Sequence, residues 1–374
     1  MATVVTTELL RDLAGFRAAN GCAISIYLDF DPSVTPTTPD VHTKFNAVVT
    51  DAEKLAEGKA NGRDCKLSVR EDIQRLREWW SDLDRDGARG LAIFASSADG
   101  LFRTLPLAES VGDSVVVAPT LHLLPLASAV DAEGALVAVI SRERGIVYRF
   151  ESGRLEEVVD QSEEQPGQHE QGGWSQARYQ RHIDHLVQQH LKLVGDELDR
   201  RVQGGRLRIV VVGSDEMRGD FESALSNEAR EAIIGWTTAE GHAGPNELLE
   251  VVRPLLDEAR AREDEEALAR FDEHRGRGER AAAGWKQVLD AASDARVDLL
   301  FVEEGAKERA WECPQCGRAS ADGGSCPLDG AKLEERDDGA DLALRHTVAN
   351  GGSIVRVGAG ALGDAKGIGA LLRY

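Results

Sequence analysis

The stretches ALVAVISRE (Ala135–Glu143), GIVYRFESGRLEEV (Gly145–Val158) and LRIVVV (Leu207–Val212) decide how the middle of this chain folds. The first two are apolar, β-branched runs separated by a short turn, the pattern of a hairpin or meander. LRIVVV is apolar throughout, as a strand covered on both faces must be. Between them QSEEQPGQHEQGG (Gln161–Gly173) is polar and glycine-bearing and reads as a loop. A helix is predicted from about Ser175 to Val202, because Ile183, Val187, Leu191, Val194 and Leu198 recur at three- and four-residue spacing. With further helices expected around Phe221–Ile233 and from about Asn246, strands and helices alternate, which predicts a mixed or parallel sheet covered by helices.

Working outward, 374 residues exceed what one core usually serves. Three α/β segments are expected: 1–127, 128–274 and 275–374. The first has a buried-type strand CAISIYLDF (Cys22–Phe30), helix from about Val41 to Leu83 broken near Gly58–Gly62, and strands at Gly90–Ala95 and Ser114–Ala118. The charged run Asp257–Arg280 is read as a linking helix with a domain boundary. The last segment contains a helix through Trp285 and Leu289, a strand at Val297–Val302, a helix near Ala340–Asn350 and a strand at Ser353–Val357.

Composition narrows the function classes. A hydrophobic share of 42% is too high for general disorder. A formal charge of −21 excludes a protein that coats nucleic acid by bulk attraction, so any RNA-directed role needs a local basic patch. No run approaches the roughly 18 apolar residues of a membrane span, and the N-terminus lacks a secretory pattern; no membrane partner and a cytoplasmic location are expected. Cys22 and Cys65 stand apart from the other cysteines and read as simple thiols.

WECPQCGRASADGGSCPLDG carries Cys313-x2-Cys316 and, nine residues on, Cys326-x2-Asp329, with glycine or proline beside each pair. Two such turns build a tetrahedral zinc knuckle, and carboxylate oxygen is an acceptable fourth donor. Structural Zn2+ is therefore expected on Cys313, Cys316, Cys326 and Asp329, with His346 as an alternative to Asp329. The competing possibility is a reduced loop that binds nothing.

Gly172-Gly173-Trp174-Ser175-Gln176 leads into the predicted helix, where Arg178, His182, His185 and Gln189 fall opposite the apolar stripe with Arg181 alongside. A Gly-x-x-Gln pattern is weak alone, since about one occurrence is expected by chance in a chain of this composition. Its place at a helix N-terminus adds weight, because free amides and the dipole there favour anionic groups. The bland alternative is a solvated helix face capped by Ser175, with His182, His185 and His190 as surface histidines. Asp184, Asp215 and Glu216 form no convincing nuclease carboxylate set.

With these motifs in order, the chain from about Ala129 to Tyr374 resembles the bacterial branch of the archaeal and eukaryotic release-factor superfamily, which includes Pelota. The resemblance implies a ribonuclease-H-like middle domain and a C-terminal domain like the ribosomal-protein fold that binds kink-turn RNA, carrying the zinc knuckle as an insertion. It implies a ribosome-associated release or rescue factor that promotes hydrolysis of the peptidyl-tRNA ester. Gly172, Gly173 and Gln176 would be catalytic, with Arg178, Arg181, His182 and His185 on tRNA or rRNA. The partners implied are the ribosome and peptidyl-tRNA, with room for a translational GTPase. Trp174 and Ser175 interrupt a strict Gly-Gly-Gln, as in quality-control relatives, which leaves open a non-catalytic ribosome-binding or hibernation factor of the same fold.

Overall fold

In the computed structural model the described residues are 5–58, 62–80, 87–127, 134–142, 144–151, 154–160, 174–202 and 207–374, the side chains of 174–184 and 186 excepted. They form two compact units, Asp131–Glu263 and a discontinuous one made of Met1–Val130 with Asp264–Tyr374. The discontinuous unit thus contains both ends of the chain.

The first segment runs α1 (Thr7–Ala14), β1 (Ala23–Asp29), α2 (Thr38–Ala56), α3 (Arg63–Trp80), β2 (Gly90–Ser96), β3 (Leu101–Leu107), β4 (Ser114–Ala118) and the single turn α4 (Leu124–Ala127). Its antiparallel sheet has the order β3-β2-β1-β4. β1 and β2 are buried along their whole lengths because both faces are covered. Ile24, Ile26 and Leu28 meet Val49 of α2 and Ile73 of α3, while Tyr27 and Phe94 face the core that includes α1. A capping box between Thr37 and Asp40 starts α2. Cys22 and Cys65 correct the expectation of simple thiols: they form a disulfide. The packing of α3 on β1 brings together cysteines that lie 43 residues apart.

The middle of the chain runs β5 (Ala135–Ile140), β6 (Gly145–Glu151), β7 (Arg154–Asp160), α5 (Trp174–Val202), β8 (Arg208–Val212), α6 (Asp215–Ala224), α7 (Asn227–Glu231), β9 (Ile233–Thr237) and α8 (Pro245–Arg277). The meander and the buried strand are where the patterns put them, in a mixed sheet of order β7-β6-β5-β8-β9. β5, β8 and β9 run parallel, and β6 and β7 are antiparallel to their neighbours. Val187, Leu191, Val194 and Leu198 of α5 lie with Phe221 of α6 on one face. Leu248, Val252 and Leu256 of α8 cover the other. A helix was expected to reach Ile233, but it stops at Glu231 and the β-prone run IIGWT forms β9. His190 is also a correction: it is 3% exposed and packs over Gly145 of β6.

The last segment runs β10 (Ala281–Ala283), α9 (Trp285–Ser293), β11 (Val297–Glu303), β12 (Ala310–Glu312), β13 (Ala319–Ser320), β14 (Glu334–Arg336), α10 (Gly339–Ala349), β15 (Ser353–Val357) and β16 (Ile368–Leu372). The larger sheet is β10-β16-β11-β15 and the smaller is β13-β12-β14. α9 and α10 share a continuous core with α1, Leu121, Leu123 and Leu126 of the first segment. Polar ties follow the same seam. The carboxylate of Asp341 accepts the amides of Leu123 and Leu124, and its Oδ1 lies 3.3 Å from Nδ1 of His122. The hydroxyl of Tyr27 donates to the His122 carbonyl at 2.7 Å.

Candidate metal centre

The segment between β11 and α10 folds as two matching turns. In the first, the amide of Cys313 donates to the Arg318 carbonyl and that of Gly317 to the Cys313 carbonyl, each at 2.9 Å. In the second, the amide of Cys326 donates to the Ala331 carbonyl at 2.7 Å and that of Gly330 to the Cys326 carbonyl at 2.9 Å. Gly317 and Gly330 close these turns at φ of 77° and 76°, a region that only glycine enters freely. Amides also point at sulfur, from Cys316 to Cys313 Sγ and from Leu328 to Cys326 Sγ, each at 3.5 Å. The sequence spacing thus becomes two hairpins whose side chains converge.

Cys313, Cys316, Cys326 and Asp329 place their ligand atoms within 4.8 Å of one another, the one such group among the described residues. Cys316 Sγ lies 3.6 Å from Cys326 Sγ, and Cys313 Sγ lies 3.2 Å from Asp329 Oδ2. A tetrahedral zinc with Zn–S near 2.3 Å requires sulfur pairs about 3.8 Å apart and sulfur–oxygen pairs about 3.5 Å apart, so the donor set fits that ion closely. The Ala331 amide, followed by the Cys313 and Cys316 thiols, holds the Asp329 carboxyl below the usual carboxylate range. The Arg318 amide favours a Cys316 thiolate, but burial and hydrogen bonds to Asp329, Cys313 and Cys326 outweigh it and push the thiol up to about 12. A divalent cation reverses that balance by stabilising all the anionic donors together.

Neighbouring side chains hold the turns in place. The His346 ring meets the Gly317 carbonyl through Nε2 at 2.9 Å, and since a carbonyl only accepts, that nitrogen carries the proton. His346 therefore buttresses the first turn, and Asp329 takes the fourth position of the cluster. Ser293 of α9 accepts the Ala319 amide at 2.9 Å, and Arg318 reaches Asp294 at 2.7 Å. Next to Cys313, Glu312 is 2% exposed and is met by Arg17 at 2.7 Å, Arg336 at 3.0 Å and Arg345 at 3.8 Å. The cysteine spacing does not reveal these supports, because they come from helices and from a residue almost 300 positions away.

The other predicted residues are placed less completely. Gly172 and Gly173 lie outside the described residues, and the helical backbone begins at Trp174, so Gln176 belongs to the first turn of α5 and not to a loop ahead of it. The side chains of Gln176, Arg178, Arg181 and His182 lie outside the described residues, as does that of Asp184. His185 is exposed on α5, and Asp215 and Glu216 are exposed in the first turn of α6.

The molecule is thus a multidomain α/β protein with a helix-covered mixed sheet in its middle and a Cys3Asp cluster that could bind a metal. Residues 122–260 match the family described as Bacterial archaeo-eukaryotic release factor family 10. It is similar to peptide chain release factor subunit 1 of Thermoplasma acidophilum, 25% identical over 192 residues, which cover 48% of this chain and 45% of that one. The same protein of Methanopyrus kandleri is 24% identical over 192 residues, 48% of this chain and 46% of that one. The chain spans about half the length of the curated relatives it matches. Among solved structures it is similar to an archaeal translation termination factor, at 15% identity and TM-score 0.28 over 99% of this chain and 98% of that one. It is also similar to Archaeoglobus fulgidus Pelota, at 16% identity and TM-score 0.33 over 76% of this chain and 79% of that one.

Proposed function

We propose that this chain is a ribosome-associated release or rescue factor that promotes hydrolysis of the peptidyl-tRNA ester. The observation that carries this reading is the family match over residues 122–260, which contains the Gly172-Gly173-x-x-Gln176 segment where it runs into α5. The order of the mixed sheet, three antiparallel strands and then two parallel ones, supports a ribonuclease-H-like middle domain within 128–274. The Cys3Asp cluster supports a structural zinc in the 275–374 segment, which we read as the ribosomal-protein-like domain with its knuckle insertion, leaving 1–127 as the N-terminal α/β domain. The proposed partners are the ribosome, peptidyl-tRNA and a delivering translational GTPase.

The glycine pair would let the backbone approach the CCA end of tRNA closely. The first amides of a helix lack intrahelical partners, so the start of α5 offers donors to an oxyanion that forms as water attacks the ester. The Gln176 amide is too weak a base to take the proton and would orient the water instead. Arg178 and Arg181, with His182 and His185, would hold phosphates and so position the loop without reading sequence. Zinc, when bound, would supply no chemistry to the ester; Cys313, Cys316, Cys326 and Asp329 would hold it to stabilise the knuckle.

Release of nascent peptide from stalled ribosome complexes, compared for the parent and Gln176→Ala, tests the catalytic reading. Loss of one positioned donor typically costs about a hundredfold or more, and that is the expected drop. The placement of Gln176 in a helical turn, with Trp174 and Ser175 between it and the glycines, favours the second reading, a non-catalytic ribosome-binding or hibernation factor. Tight ribosome binding without release in either protein selects it.

A further inference from the structure

We infer that the outer edge of β9 is a docking site for an extended acidic peptide, which adds to the five-stranded sheet as a sixth strand. β9 is the last strand of that sheet, and β8 is its one partner among the described strands. All five of its residues are half-exposed, although two are isoleucine and one is tryptophan. The free edge of such a strand presents main-chain donors and acceptors that an incoming strand can pair.

Along this edge lies an open cleft of about 490 Å³ lined by Arg218, Glu222, Arg230, Ile233, Ile234 and Trp236, with Gly235 between the last two. The Trp236 indole forms its wall, held edge-on against Phe221 at 6.1 Å and covered by the Arg218 guanidinium at 5.1 Å. Apolar side chains of the added strand would enter between Ile233 and Trp236, which share the sheet face covered by α5 and α6. Arg218 and Arg230 are both exposed and extend from α6 and α7 over the cleft. Glu222 pairs with Arg218 at 2.9 Å and offsets part of one charge, while Arg230 donates at 3.0 Å to the neutral Asn227 amide oxygen and keeps its charge uncompensated by that partner.

Charge complementarity chooses the occupant. In a chain of formal charge −21, a cleft with two arginines against one glutamate favours an anionic ligand. The main-chain edge and the apolar floor suit a peptide strand with alternating acidic and apolar side chains better than a phosphate backbone, which has no amide to pair with β9. The register shift between Ile233 and Gly235 sets the limit of pairing, so the added strand aligns with Gly235–Thr237.

The test uses the whole chain and a dye-labelled peptide of alternating glutamate and valine, with binding followed by fluorescence anisotropy at low salt. The expected result is saturable binding, weakened about tenfold or more by the double variant Arg218→Glu, Arg230→Glu and by N-methylation of alternate peptide amides. The double variant Arg218→Lys, Arg230→Lys retains the charge and is expected to keep most of the affinity. Thermal unfolding of both variants checks that the fold is intact. Absence of saturable binding overturns the proposal, as does equal affinity for the charge-reversed protein or for the N-methylated peptide. Binding of oligouridine in place of the peptide also overturns it, by making the cleft a nucleic-acid site.

Discussion

Glu312 shows how one buried charge ties distant parts of the chain together. Its carboxylate meets guanidiniums from before β1, from β14 and from α10. A buried ion costs several kcal/mol to desolvate, and breaking such a group by removing one member leaves the others uncompensated. Glu312→Gln is therefore expected to lower stability by about 3–5 kcal/mol, read from denaturant unfolding. Gly145 makes a steric argument of the same kind: a Cβ there would lie 2.2 Å from Cε1 of His190 and 2.8 Å from Val194 Cγ2. Gly145→Ala should cost about 1–3 kcal/mol through overpacking. His190→Ala in the same chain should recover part of that loss, and strict additivity of the two changes would show that the ring is not the obstacle.

At the scale of elements, the Cys3Asp segment is a structure that its own apolar side chains barely support. Its apolar cluster is limited to Cys313, Cys326 and Leu333, with Trp311 and Ala331 packed against it. A core this small adds little stability of its own, so a metal bound by the four donors would add to what the supports from α9 and α10 supply. Protein purified without chelator is expected to carry about one equivalent of zinc, and Cys313→Ser with Cys316→Ser should abolish it and lower thermal stability. Metal analysis showing no zinc in the parent would defeat this assignment. Asp329→Cys should retain the metal, since thiolate is the commoner ligand in structural sites.

At the scale of the molecule, the unit built from both ends of the chain rests on a shared core and on the buried pair of His122 and Asp341. Burial works against a charged His122, but the charge and hydrogen bond of Asp341, with Asp338 nearby, outweigh it and raise its pKa. Burial likewise opposes ionised Asp341, yet His122 and then Arg345 hold its carboxyl below the usual range. A raised histidine contributes fully below its unfolded value and loses that contribution as pH rises through the folded one. A depressed carboxylate contributes above its unfolded value and loses it as pH falls. The pair therefore contributes most between those limits. The stability lost in His122→Gln should be larger at about pH 6 than at about pH 9, and a pH-independent difference would leave the ring a packing role only. Because Leu10, Leu123 and Leu126 pack in one core with α9 and α10, a 1–127 fragment is expected to expose apolar surface and bind a hydrophobic dye.

The elements that periodicity could announce were legible. CAISIYLDF and LRIVVV are apolar because both faces of their strands are covered, and the α5 stripe recurs because one side of that helix is buried. The four converging donors were legible too, because a knuckle turn fixes its ligand spacing within a few residues. Contacts between distant segments left no local mark. The Cys22–Cys65 disulfide, the three arginines around Glu312, the His346 buttress and the single core shared by both ends of the chain arise only when elements far apart in sequence meet. β9 was missed for a related reason: IIGWT is too short to show a period, and pairing with β8 is what makes it a strand. Local spacing thus determined which residues could act together in a turn or on a helix face. The tertiary structure decided which of them are buried, paired and supported, since burial and long-range pairing are properties of the packed chain and not of any window along it.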